Sequence, residues 1–372
     1  MVNTKIRIAY IIDKINVGGT ENQLRYLISG LDKSRFDIIL YVLRDTTEPT
    51  VRFENTEVRV LDLRSLASFK GVRKVVNLTN QLRKSRCQIV HTFFQDATIV
   101  GAIAGRMAGA KTLISIRDNL FWATPLNLTV YRAIAHLGDL VLVNSSSVRE
   151  RVKPLFSRKG IEVIYNGIPS GSGYSGSTEA RRALRKELGC HQDTPIAVIV
   201  SNCNRAVKRL DVFIDSIPLI LRESSASFVI VGDGNLRPVL QRRVADLNMD
   251  PFVRFLGHRD DIEYILAGCD IAVNTSDSEG LSNSILEAMR AGLPVVASDV
   301  PGNREIVEDR VTGLLFTPGD SKALAEKVLE ILRHRDLACA LGHAGSKVVE
   351  STFTIDAMVN KHVALYKSIL HN

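Results

Sequence analysis

The chain has 372 residues, of which 45% are hydrophobic and 24% charged, with a formal net charge of +8. That length exceeds one typical core and predicts two domains, and the composition argues against a disordered or fibrous chain. Five scattered cysteines (Cys87, Cys190, Cys203, Cys269 and Cys339) without a C-x-x-C pair argue against a disulfide framework or structural zinc site. With no apolar leader before the first strand and no apolar run of membrane-spanning length, the reading is a cytoplasmic protein. The positive balance predicts an acidic partner: nucleic acid, anionic lipid or a phosphorylated small molecule.

The first element, "IRIAYIID" (6–13), reads as a buried strand, and "TENQLRYLISGL" as the amphipathic helix after it. Thr20 and Gln23 have the spacing of a capping box, which places the helix start at Thr20. Before it, Gly18 and Gly19 let the backbone approach a ligand, although two adjacent glycines also make an ordinary turn. "FDIILYVL" is a second strand. "FKGVRKVVNLTNQLRKSR" (69–86) is basic and, on a helix, amphipathic; it suits either an anionic membrane surface or a solvated face.

"QIVHTFF" is a strand with His91 near its end, a candidate polar contact for which a satisfied strand-end histidine is the preferred reading. The helical "DATIVGAIAGRMAGA" and the strand "KTLISI" follow, the latter running into Arg117 and Asp118 of "SIRDNLFW". "DLVLVNSS" and "IEVIYNGI" continue the alternation, which predicts parallel βαβ units in a doubly wound sheet. The Gly/Ser-rich "IPSGSGYSGST" (168–178) reads as a linker.

Alternation then restarts with "PIAVIVSN" and runs through "PVVASD", giving a second α/β domain. Ligands of such sheets lie beyond the carboxyl ends of strands, and a cleft between two such domains is the natural site. Arg205 and Lys208 precede a helix starting near Arg209, where two cations could neutralise a departing diphosphate or simply form a solvated turn. In "NTSDSEGLSNSILEAMRAGLPVVASD" (274–299), Glu279 follows a strand and Glu287 lies about two turns further on. A carboxylate beside a helix N-terminus can accept hydrogen bonds from sugar hydroxyls, and Glu287 could hold a ribose. Ser284 and Glu287 also have capping-box spacing, and Glu279 could be a solvated loop acid.

The longer run "SEGLSNSILEAMRAGLPVVASDVPGNREIV" resembles the signature of the retaining family 4 glycosyltransferases, nucleotide-sugar-dependent enzymes of the GT-B fold. The likeness rests on Glu279, Gly280, Glu287, Ala288, Met289, Gly292, Pro294, Val295, Val296 and Gly302. "GGTEN", "VIYNGI", "VGDG", "FLGHRDDIEYILAGCDIAV" and "VTGLLFTPGD" are similar to the family's other segments.

This resemblance implies two facing Rossmann-like α/β domains around a central cleft. An acceptor-binding domain would cover 1–168 and a nucleotide-sugar-binding domain 169–354, with a C-terminal helix (355–372) packing back on the first. It implies retaining transfer from a nucleotide-diphosphate sugar, a UDP-sugar favoured, to a hydroxyl on a carbohydrate or lipid-linked acceptor. The setting would be polysaccharide, lipopolysaccharide or glycolipid biosynthesis, in the cytoplasm or peripherally at the inner face of a membrane.

By the same resemblance, Glu279 contacts the sugar, Glu287 the ribose, and Gly280, Leu281, Ser282 and Asn283 line the donor site. Gly18 and Gly19 approach the donor phosphate or the acceptor, His258 lies near the base, and Lys208 and Arg205 hold the diphosphate. The match at Arg205 is the looser one, since many members carry the arginine where this chain has Cys203. Where many relatives place a histidine, this chain has Arg117 and Asp118, and Asp118 is the substitute contact. No Asp-x-Asp occurs, so neither a metal nor a cofactor beyond the nucleotide sugar is expected. Alternatives are a sugar-nucleotide 2-epimerase of the same fold, a non-catalytic sugar-nucleotide binder, or a basic nucleic-acid-binding protein. Few aromatics and no aromatic-interleaved basic run count against nucleic acid.

Overall fold

The structure is a computed structural model that describes residues 5–16, 18–44, 52–66, 68–120, 123–156, 159–171 and 177–371. The chain divides into two compact units: residues 1–167 with 355–372, and residues 168–354.

The first unit is a seven-stranded parallel sheet in the order β3-β2-β1-β4-β5-β6-β7. Its strands are β1 (Ile6–Ile12), β2 (Phe36–Val42), β3 (Glu57–Val60), β4 (Ile89–Phe93), β5 (Lys111–Ile116), β6 (Leu140–Val143) and β7 (Gly160–Val163). The second unit is a six-stranded parallel sheet, β10-β9-β8-β11-β12-β13. Here the strands are β8 (Ile196–Val200), β9 (Ser227–Val231), β10 (Val253–Gly257), β11 (Ile271–Asn274), β12 (Val295–Ser298) and β13 (Leu314–Phe316). Runs such as IAVIV and FVIV are apolar at every position because central parallel strands are covered on both faces. Each sheet reverses its strand order once, between β1 and β4 and between β8 and β11, and the carboxyl ends at such a reversal open a crevice.

The C-terminal helix Ile355–His371 belongs to the first unit. Its Met358, Val359, Tyr366 and Ile369 share a core with Ile8, Leu24 and Leu27. The Tyr366 hydroxyl lies 2.9 Å from that of Tyr10 and 2.8 Å from Nδ1 of His91, whose Nε2 lies 2.7 Å from the Ser115 hydroxyl. Burial, with the charges of His362 and Arg117, holds His91 well below its ordinary pKa. His91 is a neutral, satisfied core residue.

Three local expectations change. The first helix runs Gly19–Gly30 with Gly18 as its cap, and no side chain caps it. Gln23 does not close a capping box with Thr20. Its amide instead grips the main chain of Gly167, donating to the carbonyl at 2.8 Å and accepting from the N–H at 2.9 Å. A buried amide paired on both edges satisfies more polar groups than one reaching back to a solvated helix start.

The stretch 168–178 is not linker throughout. Ile168 is buried, donates to the Phe353 carbonyl at 2.8 Å and bridges Thr354. Ser177 caps a helix beginning at Thr178. Residues 172–176 of that stretch lie outside the described residues, as do Phe121 and Trp122 of "SIRDNLFW". The basic segment forms a helix, Phe69–Lys84, capped by the Ser68 hydroxyl accepting from the Gly71 N–H at 3.0 Å. Among the described residues no helix is long and apolar enough to cross a membrane.

Candidate functional site

The reversal between β8 and β11 gathers the second unit's polar residues. After β8 the chain makes a short 3-10 turn, Ala206–Lys208, before the helix Leu210–Leu221. After β11 it passes through Thr275–Ser282 before the helix Asn283–Arg290. The loops are tied together, with the Thr275 hydroxyl donating to the Lys208 carbonyl and the Asp277 N–H to the Val207 carbonyl, both at 2.8 Å.

The ammonium of Lys208 donates to Oε1 of Glu279 at 2.7 Å, the lysine side chain being 22% exposed and the glutamate 9%. That oxygen also accepts from the Ser276 hydroxyl at 2.6 Å and from Nδ2 of Asn274 at 3.4 Å. Burial raises the Glu279 pKa, but Lys208 and the two neutral donors outweigh it and hold the carboxyl below its ordinary value. It is therefore an ionised group inside a built cage.

The cage extends one layer deeper. Asn303 donates to Oδ1 of Asn274 at 3.1 Å and to the Ser298 carbonyl at 2.9 Å, which leaves the Asn274 amide facing Glu279 and Ser282. Asn303 lies on the short helix Pro301–Arg304. A Cβ on the adjacent Gly302 would strike the Glu279 carbonyl, so only glycine permits this close approach.

Glu287 differs. Ser284 lies inside the helix, which starts at Asn283 with Ser282 as its cap, so no capping box forms with Glu287. Nearby Arg290 is committed to Glu263 and to the Pro169 carbonyl. The half-buried Glu287 carboxylate receives no hydrogen bond from the described residues. Burial pushes its pKa up to about 7, with Arg290 pulling it down and Glu263 adding to the rise. A carboxylate removed from water without a donor favours any ligand that brings hydroxyls.

Gly280, Leu281, Ser282 and Asn283 form the approach to the helix N-terminus, whose positive dipole end favours an anion. Arg205 is exposed and opens the 3-10 turn, its carbonyl accepting the Lys208 N–H at 3.0 Å. Cys203 is fully buried. The sequence reading passed over Arg209, which adopts a left-handed conformation (φ 48°) and bonds both Asp211 and Asp277. That tie fixes the turn carrying Lys208. His258, after β10, lies 3.2 Å from Asp260.

In the first unit, Gly18 is extended, and a Cβ there would meet the carboxylate of the buried Glu21. The Arg117 guanidinium donates to Oδ1 of Asn166 in the "VIYNGI" segment. Burial lowers its pKa to about 10, against the charge of Glu21. Asp118 accepts from the Leu120 N–H at 2.9 Å. Asp13 was missed, although an acid closing an apolar strand run was its signal. It follows β1 at the sheet's reversal and accepts from the Ala97 N–H at 2.6 Å, burial raising its pKa to about 6. Among the described residues no group of three or more His, Cys, Asp or Glu is placed to hold a metal ion.

Two family models match the chain: Glycosyltransferase Family 4 over residues 17–171 and Glycosyl transferases group 1 over residues 194–334. A putative glycosyltransferase, EpsD, from Bacillus subtilis (strain 168) is 31% identical over 77% of this chain and 76% of its own length. A UDP-Gal:alpha-D-GlcNAc-diphosphoundecaprenol alpha-1,3-galactosyltransferase from Escherichia coli is 25% identical over 100% of this chain and 99% of its own. The N-acetyl-alpha-D-glucosaminyl L-malate synthase of Bacillus anthracis is 28% identical over 66% of this chain, and the match spans 64% of that relative's length. Among solved structures, Anabaena Alr3699/HepE in complex with UDP and glucose superposes with a TM-score of 0.86 at 23% identity, covering 98% of this chain and 100% of that one.

Proposed function

The chain belongs to the family 4 glycosyltransferases and has their GT-B fold, and from that premise we propose that it transfers a sugar, with retention, from a nucleotide-diphosphate sugar to a hydroxyl. The acceptor is a carbohydrate or lipid-linked sugar of polysaccharide, lipopolysaccharide or glycolipid biosynthesis. In this reading the second unit binds the donor and the first the acceptor. A UDP-sugar is favoured because the E. coli relative is a UDP-Gal enzyme and the Anabaena structure holds UDP.

The observation that carries the proposal is the contrast between the two glutamates. Glu279 is ionised, caged and bonded to Lys208, so it is rigid enough to orient sugar hydroxyls. Glu287 lacks a donor, and a ribose diol supplies two. As the glycosidic bond breaks, negative charge grows on the diphosphate. Lys208, Arg205 and the N-terminus of the helix Asn283–Arg290 neutralise it there. Retention follows if the departing diphosphate accepts the proton of the incoming hydroxyl on the same face of an oxocarbenium-like sugar. No step requires a metal ion, so turnover should survive chelation.

The test is a thermal-shift screen against uridine-, guanosine- and adenosine-diphosphate sugars, followed by anomeric analysis of the product by NMR. A ligand at 100 times its Kd adds about 2.7 kcal/mol to stability. A selective shift with UDP-sugars and a retained anomer is the expected result. A shift with none of them, or an epimerised free sugar formed without acceptor, would overturn the reading.

A further inference from the structure

Lys208 supplies the positive charge beside Glu279. The neutral donors, the Asn274 amide and the Ser276 hydroxyl, both trace back to one side chain further away. Asn303 is fully buried, and its Nδ2 reaches the Ser298 carbonyl at 2.9 Å, Oδ1 of Asn274 at 3.1 Å and the Ser298 hydroxyl at 3.2 Å. Asn274 ends β11 and Ser298 ends β12, so these contacts lie across the carboxyl ends of two paired strands. One route runs through Asn274. Its Oδ1 accepts from Asn303 and from the Ser276 N–H at 3.2 Å, which turns its Nδ2 towards Oε1 of Glu279 and the Ser282 hydroxyl. The other runs through Ser298, whose hydroxyl donates to the Ser276 carbonyl at 2.5 Å, while the Ser276 hydroxyl donates to the same Oε1.

Main-chain groups fix the direction of these bonds. The Ser298 carbonyl can only accept, so the Asn303 amide must present Nδ2. The Ser276 N–H can only donate, so Asn274 must present Oδ1 to it and Nδ2 to the carboxylate. Asn303 is held in this orientation against its own stability. Its Oδ1 is buried and has no hydrogen-bond partner among the described residues, and an orphaned buried carbonyl destabilises a fold. A leucine would fill similar space without the orphan, so packing alone does not account for an amide here. We propose that Asn303 is a positioning residue for the transfer, orienting the Asn274 amide and the Ser276 loop onto Glu279. This role rests on the proposed reading of Glu279 as the grip on the sugar, but the orientation exists without donor and can be measured without it.

The experiment compares wild type with Asn303→Leu, Asn274→Ala and the double variant. UDP release from UDP-glucose and UDP-galactose gives kcat. Asn303→Leu should lower it about tenfold, the loss expected when a bond to a charged group is loosened. Because Asn303 works partly through Asn274, the double variant should fall short of the product of the two single effects. Carboxyl carbon NMR titration, with the Glu279 signal assigned by its absence in Glu279→Gln, needs no substrate. In Asn303→Leu the Glu279 midpoint should move to higher pH, because donors to the charged form have loosened. The Glu287 midpoint should stay. If Asn303→Leu does not fold, Asn303→Ala, which leaves a cavity but introduces no clash, carries the same measurements. Fully multiplicative effects of Asn303 and Asn274, or an unmoved Glu279 midpoint in a folded variant, would overturn the proposal. A wild type that releases UDP from neither sugar counts against the proposed transfer, and the Glu279 midpoint then decides the role of Asn303 by itself.

Discussion

Glu279 and Glu287 lie eight residues apart, yet their surroundings move their carboxyls in opposite directions. Lys208, Ser276 and Asn274 keep Glu279 ionised, whereas burial without a donor raises Glu287 to about 7. Glu279→Gln should therefore reduce kcat about 100-fold or more while changing the Kd of UDP little, since in the proposed reading the lost charge acts on the sugar. Glu287→Ala should weaken UDP binding itself by about 10- to 100-fold, the usual loss for hydrogen bonds to a charged group. Equal effects of both on UDP affinity would rule out this division.

Glu287 also sets a pH dependence. Its folded pKa lies above the ordinary carboxyl value, so between pH 4.5 and about 7 the folded state holds a proton that the unfolded state has released. Its contribution to stability therefore falls as pH rises through that window. In the proposed reading ribose binding needs the carboxylate and runs the other way, with UDP affinity rising about tenfold from pH 6 to pH 8. Calorimetry across that range should show the rise in the wild type and a flat profile in Glu287→Gln.

At the scale of elements, the alternation of apolar runs with helices foretold both parallel sheets, because buried parallel strands are apolar at every position. The caps were less readable. Thr20–Gln23 and Ser284–Glu287 both carry capping-box spacing, and neither forms a box. Gln23 is taken by Gly167, and the second helix begins one residue before Ser284. A cap is a local bond, and a tertiary partner that satisfies two groups displaces it.

The cage around Glu279 was unreadable for a related reason. Asn303 is 24 residues further along and reaches it only through intermediate residues. Gly302 was read as part of a motif, and the structure supplies its physical reason. Gly302→Ala would place a Cβ against the Glu279 and Gly280 carbonyls, backbone against backbone, so the loop must shift. Displacing a positioned group by about 1 Å costs roughly 100-fold in rate. Steady-state kinetics should show kcat lowered by that order, and circular dichroism should show the fold retained. An unchanged kcat would mean that Glu279 does not depend on this contact.

For the whole molecule, the chain enters the first unit, leaves it after Gly167 and returns at Ile355. The first core thus closes only when the last helix docks, and its polar seam is the Tyr10, Tyr366, His91 and Ser115 chain. Tyr366→Phe keeps the ring and its packing but removes the hydroxyl that joins Tyr10 to His91. Both partners are buried, so each is left short of a bond, and the first unit should lose about 1–3 kcal/mol. Hydrogen exchange can read where the loss falls. Residues 8–12, 89–93 and 355–371 should exchange faster, and 196–200 and 271–274 in the second core should not change. The Lys208–Glu279 cage belongs to the second unit, so the same variant reads the first core apart from the candidate site. Faster exchange spread evenly over both sheets would mean that the two cores unfold as one, and that damage to either reaches the site.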